Sequence, residues 1–274
     1  MKHIVCYSGG HSSALVAIEV TRKFGKENVI LLNHDINPNV ENSDIKRFKK
    51  QVADYLGIEI TFANIKGITS PEKLPDQFDV TQMADAFKVG DGTELCTSRL
   101  KTEPFKKYLK DNFSDFDCII YYGFDLNEKA RIQRRSGILG AMGHKSDYPL
   151  ALWQERTIFS TNEVGIYPPN TYEHFKHANC TGCLKAGRQH WYIVYCTRKD
   201  IWEKAKEAEE DIGYTIIKGT TLEELEPLFD SMQKADVTPT EHIVHQTFWK
   251  LARQKVRDLP ENIEKDNKPC ECVF

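Results

Sequence analysis

An apolar run, Lys2 to Tyr7, stops at Ser8-Gly9-Gly10-His11-Ser12-Ser13, and a second run, nearly all apolar from Ala14 to Val20, follows at once. The first run has strand length, and the segment from His11 to Phe24 has helix length. The pair therefore reads as a buried strand feeding a buried helix through a glycine turn. Asn28 to Asn33 repeats the strand, and a helix follows from about Ser43 to Leu56 with Ile45, Phe48, Val52 and Tyr55 along one face. Gly57 ends that helix, and Ile58 to Ile65 supplies a third strand. Cys118 to Phe124 is a fourth, before a helical segment from Asn127 to about Leu139. Strand and helix alternating at this spacing predict an α/β fold, a three-layer α/β/α doubly wound parallel sheet with right-handed crossovers. Ligands in such sheets sit at the carboxyl ends of the strands.

Two regions break the rhythm. Gly67 to Leu95 is polar and marked by Gly and Pro, and reads as a flap of low regularity. Beyond Pro149 the alternation weakens, which divides the chain into residues 1–149 and a mainly helical and loop part, 150–274. In that part Glu163 to Thr181 reads as loop and Trp191 to Cys196 as one further strand. Leu222, Leu225, Leu228, Phe229 and Met232 form a helical stripe.

Composition narrows the setting. The 37 basic against 40 acidic side chains produce no global field drawing the protein onto nucleic acid or membrane. No apolar run approaches the roughly 20 residues that cross a bilayer, and Met1 to Cys6 enters a strand directly instead of a signal peptide. A cytoplasmic location without membrane partners is expected. In that compartment the eight cysteines are thiols, metal ligands or redox groups rather than a disulfide framework.

After a strand, Gly9 and Gly10 let the backbone turn sharply and bring its N–H groups close to an anion. Ser8, Ser12 and Ser13 add hydroxyls, and the first turn and dipole of the next helix complete an anion cradle suited to phosphate. His11, if protonated, is a further donor. Neither the Gly-Lys-Ser/Thr of a Walker loop nor a spaced Gly-x-Gly-x-x-Gly is present. A tight strand-to-helix turn capped by Ser12 is the plain structural alternative.

The strand-Ser-Gly-Gly-x-x-Ser-helix arrangement resembles the PP-loop of the ATP pyrophosphatases. The wider pattern is similar to the phosphoadenosine phosphosulfate (PAPS) reductase family of that adenine nucleotide alpha hydrolase (HUP) superfamily. Leu31-Leu32-Asn33-His34-Asp35 with Glu41 looks like the family's second strand, whose terminal acid lies near the adenosine. Cys96 to Phe105 is similar to its Cys-x-x-x-x-Lys-x-x-Pro segment. Tyr122-Gly123-Phe124-Asp125 with Arg131, Arg134 and Arg135 resembles the strand and basic helix that follow, and Cys180-Thr181-Gly182-Cys183 extends the likeness. The resemblance implies a nucleotide, ATP or a sulfonucleotide (PAPS or APS), bound by Ser8, Gly9, Gly10, His11, Ser12, Ser13, Asp35 and Gly123. Lys101 and Arg131 then meet the charge that develops on an α-phosphate or sulfonate, with Arg99, Arg134 and Arg135 as further candidates. One departure concerns metal. Ser12 stands where the usual loop has Asp, a residue that helps organise Mg²⁺.

Cys180-x-x-Cys183, beside Gly182, suits two thiolates on one metal or cluster iron. Cys96 is a candidate third ligand, with Cys196 or Cys272 a candidate fourth. The resemblance favours a [4Fe–4S] cluster, while Zn²⁺ and free thiols remain alternatives. Cys6 and Cys118, inside apolar strands, read as core packing. His174, His177 and His190 flank the pair and read first as surface or packing residues. Glu271-Cys272 resembles the Glu-Cys of PAPS reductases over two residues, which leaves its thiol as nucleophile, sulfur carrier or ligand.

Three functions follow from the resemblance. The first is ATP-dependent adenylylation of an acceptor (tRNA, DNA, a small molecule or a protein thiocarboxylate) with pyrophosphate release, coupled to transfer from a sulfur donor. The second is thioredoxin-dependent reduction of PAPS or APS. The third is nucleotide binding without catalysis, to which Ser12 points.

Overall fold

The computed structural model describes residues 1–90, 92–178, 180–257, 259, 260 and 263. Strand β1 (Lys2–Cys6) runs into helix α1 (His11–Phe24), followed by β2 (Val29–Asn33), α2 (Ser43–Leu56) and β3 (Ile60–Phe62). Then come α3 (Gln77–Met83), α4 (Leu95–Thr97), a π-helical turn at Ser98–Thr102 and α5 (Glu103–Asn112). β4 (Cys118–Tyr121), α6 (Lys129–Ala141), β5 (Lys145–Asp147) and α7 (Pro149–Leu152) complete the sheet region. Helices α8 (Arg188–Thr197), α9 (Lys199–Ile212), α10 (Leu222–Lys234) and α11 (His245–Lys255) follow.

The five strands form one all-parallel sheet in the order β3-β2-β1-β4-β5. Alternation along each strand divides the side chains between two cores. Val5, Tyr7, Leu31 and Tyr121 meet α1 and α2 through Leu15, Ile18, Phe48 and Val52. Ile4, Cys6, Leu32, Ile120 and Tyr122 meet Phe105, Leu109 and Leu139 of α5 and α6. Helices thus cover both faces, as the strand–helix alternation predicts. A third core gathers Trp191, Trp202, Phe229 and Trp249 of the later helices, and takes in Val40 and Phe78 from the first half of the chain.

Local signals explain the element ends. Gly10, extended at φ −83 and ψ 158, precedes α1, and Gly25 at φ 81 closes it. The Asn42 side chain accepts from the Asp44 N–H to start α2, and Gly57 in the left-handed region ends it. Ile45, Phe48 and Val52 form the buried face of α2 as expected, but the stripe ends on Leu56, and Tyr55 is 47% exposed.

Two further expectations are corrected, and one strand is unanticipated. Trp191 to Cys196 is not a strand but most of α8. Its run of aromatic and β-branched residues suits either element, and a helix buried from Gln189 to Tyr195 has no polar face to betray its period. The excursion from Gly67 to Leu95 contains α3, held by an Asp76/Asp79 capping box and by Lys204, whose Nζ lies 2.6 Å from Asp76 and 2.7 Å from Asp79. Finally, the edge strand β5 is Lys-Ser-Asp, with no apolar residue to signal it. Among the described residues no helix is long and apolar enough to cross a membrane.

Candidate functional site

The chain passes from β1 to β2 and β3 on one side and returns to β4 and β5 on the other, so the strand order reverses beside β1. Ser8–Ser13 leaves the carboxyl end of β1 at this switch point, where open parallel sheets bind ligands. Gly9, at φ +87, lies against Lys49, whose Cγ and Cδ would be 2.6 and 2.7 Å from a Cβ. No other residue type fits there without moving a buried lysine. Gly123 performs the same service for β4, since its Cβ would lie 2.9 Å from the Ser12 carbonyl carbon and 3.0 Å from the Ser13 nitrogen. The two glycines let the loop seat directly on the sheet edge.

Within the loop, Ser8 Oγ donates to Ser13 Oγ at 3.3 Å, and Ser13 Oγ donates to the Gly10 carbonyl at 2.8 Å. Among the described residues the N–H groups of Ser12 and Ser13 meet no acceptor, the usual state of a helix first turn. His11 behaves differently from a cationic donor. Its Nε2 accepts the Thr161 N–H at 3.2 Å, and burial pushes its pKa down, so the ring is neutral and engaged. Its backbone N–H donates to Tyr172 Oη at 3.0 Å.

Asp35 sits just past β2, but not alone. Lys46 Nζ lies 2.8 Å from Asp35 Oδ1 and 3.0 Å from Glu41 Oε2, while Lys49 Nζ lies 2.9 Å from Glu41 Oε1 and 3.6 Å from Asp35 Oδ1. The four charges alternate and cancel, and the Lys49 stem that fills the space beside Gly9 belongs to one of them. The signal for this group in the sequence is Lys49, a charge inside the apolar stripe of α2. Asp35, Lys46 and Lys49 line a cavity of about 630 Å³, while Asn37, Asn64, Arg99 and Glu103 line a second of about 1340 Å³.

On the opposite face of the sheet edge, burial pushes the His34 pKa down to about 4, and the charge of Lys101 adds to the shift. Lys101 is therefore close enough to the end of β2 to be felt there. Arg131 pairs with Glu128 and lies 4.4 Å over the Phe124 ring, and Arg135 lies 5.5 Å over Tyr122. Phe124, Tyr122 and Tyr148 stack nearly parallel, with centroids 5.3 to 6.1 Å apart. Arg135 also bears electrostatically on Cys6, so it belongs to the sheet edge and is more than a solvated helix residue. Arg99 pairs with Glu103 at 3.0 Å, both half exposed, and Arg134 is exposed. Burial pushes the Cys6 thiol up to about 12 and the Cys118 thiol to about 11, which keeps both protonated, as core packing expects.

A second cluster forms where Cys180–Cys183 meets α8. Thr181 N–H donates to the Val40 carbonyl at 2.9 Å, and Gly182, at φ +74, packs with Ile201 Cγ2 where a Cβ would be. Cys183 N–H donates to His190 Nε2 at 3.3 Å. The His190 Nδ1–H then donates to Glu241 Oε1 at 3.0 Å, and His177 Nε2 lies 3.2 Å from Glu241 Oε2. Burial pushes the His190 pKa down. Burial would push Glu241 up, but hydrogen bonds and charge from His177 and His190 prevail and hold its carboxyl well below the usual range. His174 Nδ1–H donates to the Pro239 carbonyl at 3.0 Å, tying the same two segments.

The ligand atoms of His177, His190 and Glu241 lie within 4.8 Å of one another, and among the described residues no set of three including a cysteine is so close. Among the described cysteines Cys96, Cys180, Cys183 and Cys196, no three sulfurs are gathered as one tetrahedral zinc, with Zn–S near 2.3 Å, requires. Cys96 and Cys196 each pack against the third core, and burial pushes the Cys196 thiol up. Cys272 lies outside the described residues. The His/Glu set fits a metal poorly: a ligating imidazole normally donates its second N–H, whereas the second nitrogen of His190 faces the Cys183 donor. The set reads as a hydrogen-bonded clasp.

Fold and loop together define the class, a parallel α/β protein with a glycine- and serine-rich loop at its switch point. No protein-family model and no solved structure matches the chain. It is similar to an uncharacterized nin region protein, ORF290, of Escherichia phage lambda, 25% identical over 213 residues, which are 69% of this chain and 68% of that protein.

Proposed function

We propose that this protein is a PP-loop enzyme of the adenine nucleotide alpha hydrolase type that adenylylates an acceptor from ATP and releases pyrophosphate, with sulfur transfer as the subsequent step. The observation that carries this reading is the seating of Ser8–Ser13 at the switch point, with Gly123 packed against Ser12 and Ser13. An acceptor oxygen or nitrogen attacks the α-phosphorus, and the bond to the bridging oxygen of pyrophosphate breaks. The loop N–H groups take up charge on the leaving pyrophosphate, and Lys101 and Arg131 meet the charge on the α-phosphate. Asp35, which lines a cavity, accepts from the nucleoside.

Pyrophosphate release from ATP and Mg²⁺ is the test, with tRNA, DNA and small thiols offered as acceptors. Gly123→Ala forces the loop away from β4, and is expected to abolish both ATP binding and turnover. ATP binding without turnover by the wild type, with turnover acquired in Ser12→Asp, would reduce the reading to a binding module. Sulfite release from PAPS with thioredoxin, abolished by Cys272→Ser, would redirect it to sulfonucleotide reduction. An anaerobic absorption spectrum with metal analysis decides among iron–sulfur cluster, zinc and free thiols.

A further inference from the structure

Tyr172, 161 positions from His11 in the chain, reaches the loop with its hydroxyl. Its oxygen accepts the His11 N–H at 3.0 Å and lies 3.4 Å from where a Gly10 Cβ would stand, with Ser8 Oγ 3.7 Å from the same point. The hydroxyls of Ser8, Ser13 and Tyr172 thus meet around Gly10, but they are not equivalent. Ser8 gives its proton to Ser13 and Ser13 gives its own to the Gly10 carbonyl. Among the described residues the Tyr172 O–H has no acceptor. Burial pushes the Tyr172 pKa up, so the group is a neutral phenol and a competent donor.

The ring is also held in place. Tyr172 N–H donates to the Pro169 carbonyl at 3.1 Å, and its own carbonyl accepts from His242 Nε2 at 2.6 Å. Beside it, Asn170 N–H donates to Asp44 Oδ2 at 2.7 Å, which fixes the turn to the start of α2. A donor so anchored loses little freedom when it binds.

We propose that Tyr172 is an anion-contacting residue of the loop site, its hydroxyl donating to a phosphate oxygen of the bound nucleotide while its oxygen keeps the His11 N–H. The inference rests on the loop being an anion site and extends that site to residue 172, far outside the sheet region. It separates Tyr172 from the alternative in which its oxygen merely occupies a helix N–H that an anion would otherwise use. The two roles give opposite signs on removal of the hydroxyl.

Calorimetric titration of the full chain with inorganic pyrophosphate and with ATP decides between them. Tyr172→Phe keeps the ring and is expected to weaken both ligands by about tenfold or more, as for a hydrogen bond to a charged group. Equal or tighter binding by Tyr172→Phe overturns the role of Tyr172 and leaves the loop site standing. Absence of binding by the wild type overturns both. Should Tyr172→Phe fail to fold, 3-fluorotyrosine at position 172, a stronger donor of the same shape, is expected to tighten pyrophosphate binding at neutral pH. No change there would equally overturn the proposal.

Discussion

Along the glycine loop, Ser8 and Ser13 bond across five positions and Ser13 and Gly10 across three, whereas in the corner around Glu241 the carboxylate reaches His190 across 51 positions and the Lys176 N–H across 65. The serine and glycine bonds of the loop are made within its own stretch of chain, and among the described residues distant ones hydrogen-bond to it only at His11, through Thr161 and Tyr172. The corner exists only because two remote segments are brought together. Their electrostatics differ as well. Behind the loop, the side chains of Lys49 and Glu41 are 4% and 0% exposed, while in the corner those of His177 and Glu241 are 22% and 16% exposed. Charge is sealed at the first place and partly hydrated at the second, and desolvated pairs are the costlier to break.

That contrast orders the expected responses. Lys49→Met preserves the stem against Gly9 but leaves Glu41 with Lys46 alone. A loss of about 3–5 kcal/mol in urea unfolding is expected. A loss no larger than that of Glu241→Gln would erase the difference between the two places.

Acid is expected to strike the loop side next. Folded His34, at about 4, refuses a proton that the unfolded chain accepts near 6.5. Stability is therefore greatest above about pH 6.5 and falls as the pH drops toward 4, by up to about 3 kcal/mol. His190 acts in the same direction, although its Glu241 partner opposes the shift. Unfolding free energies measured between pH 7.5 and 4.5 check the slope, which His34→Gln should flatten.

Glu241→Gln removes the carboxylate between two imidazoles at a partly hydrated position. About 1–3 kcal/mol is expected, read by thermal or urea unfolding. Arg99→Ala breaks an exposed pair with Glu103 and should cost less than about 0.5 kcal/mol, with ATP affinity unchanged. A clear loss of affinity there would move the nucleotide toward the 1340 Å³ cavity that Arg99 lines.

Legibility follows the same division. β1, the loop, α1, β2 and α2 are readable because period, glycine and capping signals lie within a few residues of the structure they specify. Lys101 and Arg131 were candidates only through the resemblance; in the structure Lys101 bears electrostatically on His34 and Arg131 lies over the Phe124 ring, just past β4. Arg135 was readable only as one of three arginines on α6, since nothing local says which of them turns toward Cys6. The clasp of His177, His190 and Glu241 left no mark beyond three ordinary polar residues.

What the chain by itself determined is the alternation of strands and helices, which implies a parallel α/β sheet, and the glycine turn after β1, because the signals for each lie within a few residues of one another. The tertiary structure decided that Trp191–Cys196 is helix, since complete burial removes the polar face that separates the periods of helix and strand. It also decided that His11 is neutral and that Tyr172 touches the loop, because both depend on segments more than a hundred residues away.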